Sequence, residues 1–274
     1  MMFTAASDTM IPQLRTLWKR VFGDADAYLD LFFRECFPTS EALVAQEDGR
    51  ICSVLYLLPL TLIAAGRPFS AKYIYAVATD PADRRRGLST ALLEEAHRRL
   101  FAEGVSATVL VPAERSLFSY YGARGFETAF TVERRAEIVC EGETLPVREA
   151  ELAALQPLRD RFFASCALYG AWDEQSLAYR EHEAELLGGK VICFTYKNHE
   201  CYAVCVPDGE TVRVAELAAP PDEIVLRTLA FAFDKRRVLL RLPAQNGEPF
   251  AMLHRCGDFP PVGKGPRALS LVLD

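Results

Sequence analysis

The sequence predicts an α/β protein with a mixed sheet, laid out as two tandem units of which the second is a degenerate copy of the first. Three observations carry this expectation. Helical spacings of apolar residues alternate along the chain with short apolar runs bounded by Gly, Pro and Asp. The order of these segments recurs in the second half, with Pro112 and Pro243 131 residues apart and Phe126 and Phe259 133 apart. The length of 274 residues suits two modest domains, drawn here as 1–142 and 143–274.

In chain order, Ile11, Leu14, Leu17, Trp18, Val21 and Phe22, then Tyr28, Leu29, Phe32 and Phe33, lie at helical intervals on either side of Gly23-Asp24, which predicts two short helices. Ala42–Gln46 and Ile51–Leu58 read as strands joined by the turn residues Glu47-Asp48-Gly49-Arg50. Pro59–Ser70 is expected to add another strand and turn, and Lys72–Thr79 a strand rich in aromatic and β-branched residues, ending at Asp80-Pro81. Leu88, Leu92, Ala96 and Leu100 then repeat every four residues, marking an amphipathic helix that stops near Gly104. A strand at Ala107–Val111, a helix through Leu117, Phe118 and Tyr121, and strands between Thr128 and Cys140 are expected to complete the first unit.

The second half follows with helical stretches at Glu149–Phe163 and Glu174–Leu187, a hairpin of Val191–Tyr196 with Glu200–Val206, a strand at Thr211–Ala218, a helix at Ile224–Phe233 and a strand at Arg237–Leu242. Pro81 and Pro221 are 140 residues apart, so the second copy is about nine residues shorter between its strand and the next, in the interval that carries an arginine-glycine loop in the first.

With 50% hydrophobic and 25% charged residues the chain can bury a substantial core, which excludes disordered, collagen-like and coiled-coil classes. The net charge of −6 argues against broad contact with nucleic acid. The longest apolar run, Val54–Ala65, is interrupted by Pro59 and Thr61 and falls short of the roughly 20 residues of a spanning helix, so no membrane segment is expected. The first residues lack the pattern of a secretory signal, and the expected compartment is the cytoplasm. Eight cysteines without a C-x-x-C pair read as small buried hydrophobes, and no metal site is expected.

The most informative stretch runs from Val77 to Leu93. A strand enters a turn, and a loop of small and basic residues opens a helix whose first amides have no partners inside the helix and lie at its positive end. Such a terminus holds a phosphate or pyrophosphate, with Gly87 allowing close approach and Arg84, Arg85 and Arg86 adding charge. Neither the P-loop pattern nor the dinucleotide fingerprint is present. Solvated surface charge ahead of an ordinary helix is the competing reading.

Arg84-Arg85-Arg86-Gly87-Leu88-Ser89 resembles the acyl-CoA loop, [QR]-x-x-G-x-[GA], of the GCN5-related N-acetyltransferases, with Ser89 departing from the final Gly/Ala. Val77-Ala78-Thr79-Asp80-Pro81 looks like that family's fourth strand, and Tyr121-Gly122-Ala123-Arg124-Gly125-Phe126 is similar to its Y-x-x-x-G-F segment. Two such units with a triple-arginine loop resemble the enhanced-intracellular-survival branch, without that branch's sterol-carrier-like third domain.

The resemblance implies two acyl-CoA N-acyltransferase-like units and acetyl-CoA as co-substrate. Its pantetheine arm would pair with the backbone of Val77, Ala78 and Thr79, and its pyrophosphate would lie on the loop Arg84–Thr90, against the amides of Arg85, Arg86, Gly87, Leu88, Ser89 and Thr90. Tyr121 takes the position of the general acid, with Tyr120 as a packed neighbour. The general base stays open between Glu114, a water relay and the terminal carboxylate of Asp274. His97 is expected to be solvated, while His182, His199 and His254 show no triad spacing. Tyr73, Tyr75 and Trp172 read as core residues or, second, as cleft residues. The acceptor is a small-molecule or peptide amine, and a homo-oligomer stays open. Two rivals are a non-catalytic CoA-responsive module and an aminoacyl-tRNA-dependent transferase; the net charge and the CoA loop argue against the latter.

Overall fold

In the computed structural model, which describes residues 1–272, the first half of the chain runs β1 (Met2–Ala5), α1 (Ile11–Phe22), α2 (Asp26–Leu31), β2 (Glu41–Glu47), β3 (Arg50–Ala64), β4 (Arg67–Thr79), α3 (Leu88–Ala102), β5 (Ala107–Leu110) and α4 (Arg115–Gly122). It continues through β6 (Glu127–Ile138), β7 (Val147–Glu149), α5 (Gln156–Phe163), β8 (Leu168–Ala171), α6 (Glu174–Leu186), β9 (Lys190–Tyr196) and β10 (His199–Asp208). Then come β11 (Thr211–Ala218), α7 (Glu223–Phe231), β12 (Arg237–Pro243), β13 (Glu248–Arg255) and β14 (Arg267–Ala268). No helix among the described residues is long and apolar enough to cross a membrane.

Two compact units emerge. The first contains Met1–Ala129 and Ala251–Pro261, the second Phe130–Phe250 and Val262–Val272. In the first, β1, β2, β3 and β4 form an antiparallel run, and β5 adds parallel to β4. The strand beside β5 is not the expected segment after Thr128 but β13, whose Met252–Arg255 pairs antiparallel with Leu110–Ala107. The segment after Thr128, β6, lies instead against β12 in the second unit, from Arg237↔Ile138 to Pro243↔Val132. Each unit thus receives a strand from the other half of the chain, a choice of partner that local sequence pattern does not encode.

Other differences from expectation are local. β3 continues through Pro59, which lies beyond the end of the β2 ladder at Glu41↔Leu57 and pairs with Lys72 of β4. Of the cysteines, Cys140 is exposed and Cys166 half-buried, while the other six are buried and all eight are free. Tyr73 and Trp172 are core residues, each 1% exposed.

The apolar stripe of α3, Leu88, Leu92, Leu93, Ala96 and Leu100, is buried as its spacing predicts. It covers one face of the first sheet against Leu43, Leu55, Leu57, Ile74 and Met252. The second unit repeats the solution, with α7 placing Val225, Leu226 and Leu229 against Val212, Val214, Val238 and Leu240.

Candidate functional site

The first unit's site begins where β4 leaves β5. Parallel pairing holds at Ala71↔Ala107, Lys72↔Thr108 and Tyr73↔Val109 and then ends, although β4 runs on to Thr79. A register shift against β3 falls in this same stretch, with Ala76 at φ 46, in the left-handed region. The departing part of β4 is held from the other side: Ser53 Oγ donates to the Ala78 carbonyl at 2.7 Å and lies 2.8 Å from Thr79 Oγ1. The result is a strand edge parted from its neighbour, ready to pair with an extended ligand.

The following loop is braced by buried acids that sequence reading overlooked. Asp80 accepts from the Ala82 N–H at 3.0 Å and pairs with Arg20, while its own N–H donates to the Cys52 carbonyl at 2.9 Å. Asp83, 3% exposed, receives Arg50 through two bonds, at 2.5 and 3.1 Å, and Arg86 at 2.5 Å. These guanidinium bonds, Arg50's foremost, hold the Asp83 carboxyl down at about 2, so it is ionised throughout the neutral range. Arg86 also bonds Glu47 at 3.1 Å. Its side chain therefore belongs to the loop's own scaffold, and the charge left for a ligand comes from Arg84 and Arg85, which are exposed and have no ion pair among the described residues. Glu47, Cys52 and Asp83 bring their ligand-type atoms within 4.8 Å of one another, but Arg50 and Arg86 supply the positive charge at these carboxylates.

Arg85 (φ 64) and Gly87 (φ 76) turn the chain into α3 through the left-handed region. Gly87 takes that conformation at no steric cost and leaves open space where a Cβ would stand. The first turn-closing bond is Ala91 N–H to the Gly87 carbonyl, which leaves the amides of Leu88, Ser89 and Thr90 without partners inside the helix. The hydroxyls at this terminus are engaged with α4 instead. Ser89 Oγ lies 2.7 Å from the Tyr120 hydroxyl, and Thr90 Oγ1 accepts from Arg124 at 2.7 and 3.0 Å. Arg124 in turn lies 3.5 Å over the Tyr120 ring. The arginine and tyrosine stand one helical turn apart, a spacing that carries the signal for this pair.

Tyr121 is 8% exposed, its ring edge-on to Tyr120 and Phe126 at 5.1 and 5.7 Å. Burial pushes its hydroxyl up to about 12, so it keeps its proton at neutral pH, as a proton donor must. Glu114 sits exposed at the start of α4 and accepts from Ser116 Oγ at 3.2 Å. Seven residues of helical rise, about 10 Å, separate its backbone from that of Tyr121. Asp274 lies outside the described residues. His97 is not solvated: its ring stacks on His254 and its Nε2 lies 3.0 Å from Thr108 Oγ1.

These features fit acetyl-CoA: Val77, Ala78 and Thr79 offer the parted strand edge, and the loop from Arg84 through Thr90 offers amides and charge to a pyrophosphate. The second unit has the same parting, since β11 leaves β12 after Val214↔Leu240, but its turn cannot serve an anion. Pro220 and Pro221 carry no N–H, and the N-cap of α7 is Asp222, kept ionised by hydrogen bonds from Tyr196 and Lys197, with Glu223 following.

Residues 3–129 match the family model described as Acetyltransferase (GNAT) domain. Residues 3–129, a little under half of the chain, thus form a domain of the GCN5-related N-acetyltransferase class, which is a class of acyltransferases. Among solved structures it is similar to a conserved protein of unknown function from Enterococcus faecalis V583, described as a probable N-acyltransferase, at TM-score 0.73 and 12% identity over 92% of this chain and 72% of that one. A GCN5-related N-acetyltransferase from Kribbella flavida aligns at TM-score 0.70 and 18% identity, over 92% and 70%. The chain also shares the fold of Eis1 from Mycobacterium abscessus, at TM-score 0.62 and 17% identity, over 91% of this chain and 66% of that one. No curated protein matches the sequence.

Proposed function

We propose that the first unit moves an acetyl group from acetyl-CoA to a primary amine by direct transfer, with both substrates bound together. The observation that carries this reading is the parting of β4 from β5 beside an α3 terminus with Gly87 and three amides unpaired within the helix. Acetyl-CoA supplies the acyl group, activated as a thioester. Val77, Ala78 and Thr79 hold its extended arm along the strand edge, so that the reacting carbonyl is positioned rather than diffusing. Backbone amides from Arg85 to Thr90 hold the pyrophosphate, and Arg84 and Arg85 add charge from solvent. The amine nitrogen forms its bond to the acyl carbon as the carbon–sulfur bond breaks. Tyr121 donates its phenolic proton to the departing thiolate, and the proton leaving the amine passes to water or to Glu114. On this reading residues 1–142 supply the catalytic machinery and residues 143–274 form a degenerate domain.

The test is a thermal-unfolding titration of the wild type and Gly87→Glu with CoA, followed by an amine panel with acetyl-CoA. Ligand at 100 times its dissociation constant adds about 2.7 kcal/mol to the wild type. Gly87→Glu, strained at φ 76 and negatively charged, loses that response. A folded wild type that ignores millimolar CoA overturns the reading. CoA binding without transfer to any amine leaves a CoA-responsive module in its place.

A further inference from the structure

The second unit buries two arginines, and among the described residues only one of them, Arg159, has a counter-charge. Arg159, 2% exposed, bonds the equally buried Glu216 at 3.0 and 3.1 Å and the Gly170 carbonyl at 2.9 Å. Arg180, on α6, is 3% exposed and has no ion pair or hydrogen-bond acceptor among the described residues; its Nε and Nη1 are both sealed from solvent. Its sequence neighbour Glu181 turns away, accepting from the Leu152 N–H at 2.7 Å.

A guanidinium cannot shed its charge, so burying one without an anion is far more costly than burying an ion pair. Its aromatic contacts offset only a fraction of that cost: the guanidinium carbon lies 4.7 Å over the Trp172 ring and 5.5 Å from that of Tyr179. The support is well anchored. Trp172 is 1% exposed, its Nε1 donates to the Ser270 carbonyl at 3.0 Å, and Gly170, two residues earlier on β8, is tied to Arg159.

We propose that Arg180, backed by the face of Trp172, is the recognition element of a binding site for a small oxyanion, a carboxylate or a phosphate, in the second unit. Arg180 donates charge-assisted hydrogen bonds to the anion, and Trp172 fixes the plane of the guanidinium that presents them. Every residue invoked belongs to the second unit.

The test uses the full chain. Its melting temperature is followed against sodium phosphate, sodium acetate and sodium malonate, with ionic strength held constant by sodium chloride. The expected result is a saturable rise with at least one of the three in the wild type, shifted to higher concentration in Arg180→Lys and absent in Arg180→Met. Saturation by acetate or malonate alone identifies a carboxylate site, and saturation by phosphate alone a phosphate site. Without added anion, Arg180→Met melts at or above the wild type, because it no longer buries an unpaired charge. If Arg180→Met does not fold, the Arg180→Lys shift carries the comparison. The proposal is overturned by a wild type that shows no saturable rise with any of the three anions, or by a rise of equal size and midpoint in the wild type and the variants.

Discussion

His97 on α3 and His254 on β13 stack face to face, with ring centroids 3.9 Å apart and planes 17° from parallel. Thr108, Phe126 and Cys256 lie against the rings, and none of them carries a charge that would welcome a proton on either. Burial lowers both histidines, and His254 helps to hold His97 at about 4.

The unfolded chain therefore takes up these protons at higher pH than the native protein does, so stability falls as the pH drops from above 6.5 toward 4. For His97 alone the loss reaches about 1.4 kcal/mol at pH 5.5. Urea unfolding between pH 7.5 and 5.5 measures it, and His97→Gln flattens the slope. An unchanged slope in that variant refutes the assignment.

The three arginines of the loop separate into two roles. Replacing Arg84 and Arg85 together with alanine weakens CoA binding by about tenfold or more and reduces its salt dependence, with little change in melting temperature. Arg86→Ala strips a partner from buried Asp83 and lowers the melting temperature even without CoA. Calorimetric CoA titrations beside thermal melts distinguish the two.

The adjacent tyrosines divide similarly. Tyr121→Phe retains the ring packing and removes the proton donor, so kcat falls on the order of 100-fold with little change in the KM for acetyl-CoA. Tyr120→Phe releases Ser89 from α4 and acts mainly on the KM for acetyl-CoA. Steady-state kinetics of both variants with the best amine found checks the split, and equal kcat values in the two sink it.

In the second unit, Glu216→Ala leaves Arg159 buried without its carboxylate and costs about 3–5 kcal/mol. Replacing the pair together, Arg159→Met with Glu216→Leu, recovers only part of that loss, because two apolar side chains need no partners but the Tyr202 and Ser270 hydroxyls and the Gly170 carbonyl lose theirs. Denaturant midpoints of the two variants give the comparison.

How much of this was legible depended on distance along the chain. The strand, loop and helix from Lys72 to Ala102 could be read because their signals are local: alternation, a Pro turn, a glycine and a four-residue apolar repeat. Asp83 was missed because its decisive partner, Arg50, lies 33 residues away on another strand. His97 looked solvated because helical periodicity reports only which face a residue shares, and β13 covers that position from 157 residues downstream. The contact of Tyr120 with Arg124 is local, one helical turn apart, but the Y-x-x-x-G-F resemblance puts its weight on Tyr121, Gly125 and Phe126 and leaves Tyr120 as a packed neighbour.

The placement of β13 beside β5 also has a consequence in time. A ribosome finishes Ala107–Leu110 long before it reaches Met252–Arg255. At about 5–20 residues per second, on the order of ten seconds pass in which the edge of β5 is made and its partner does not yet exist. For that interval the nascent chain carries an unpaired strand edge, open to mispairing with other chains. The newborn protein depends during those seconds on whatever shields that edge until Met252–Arg255 arrive.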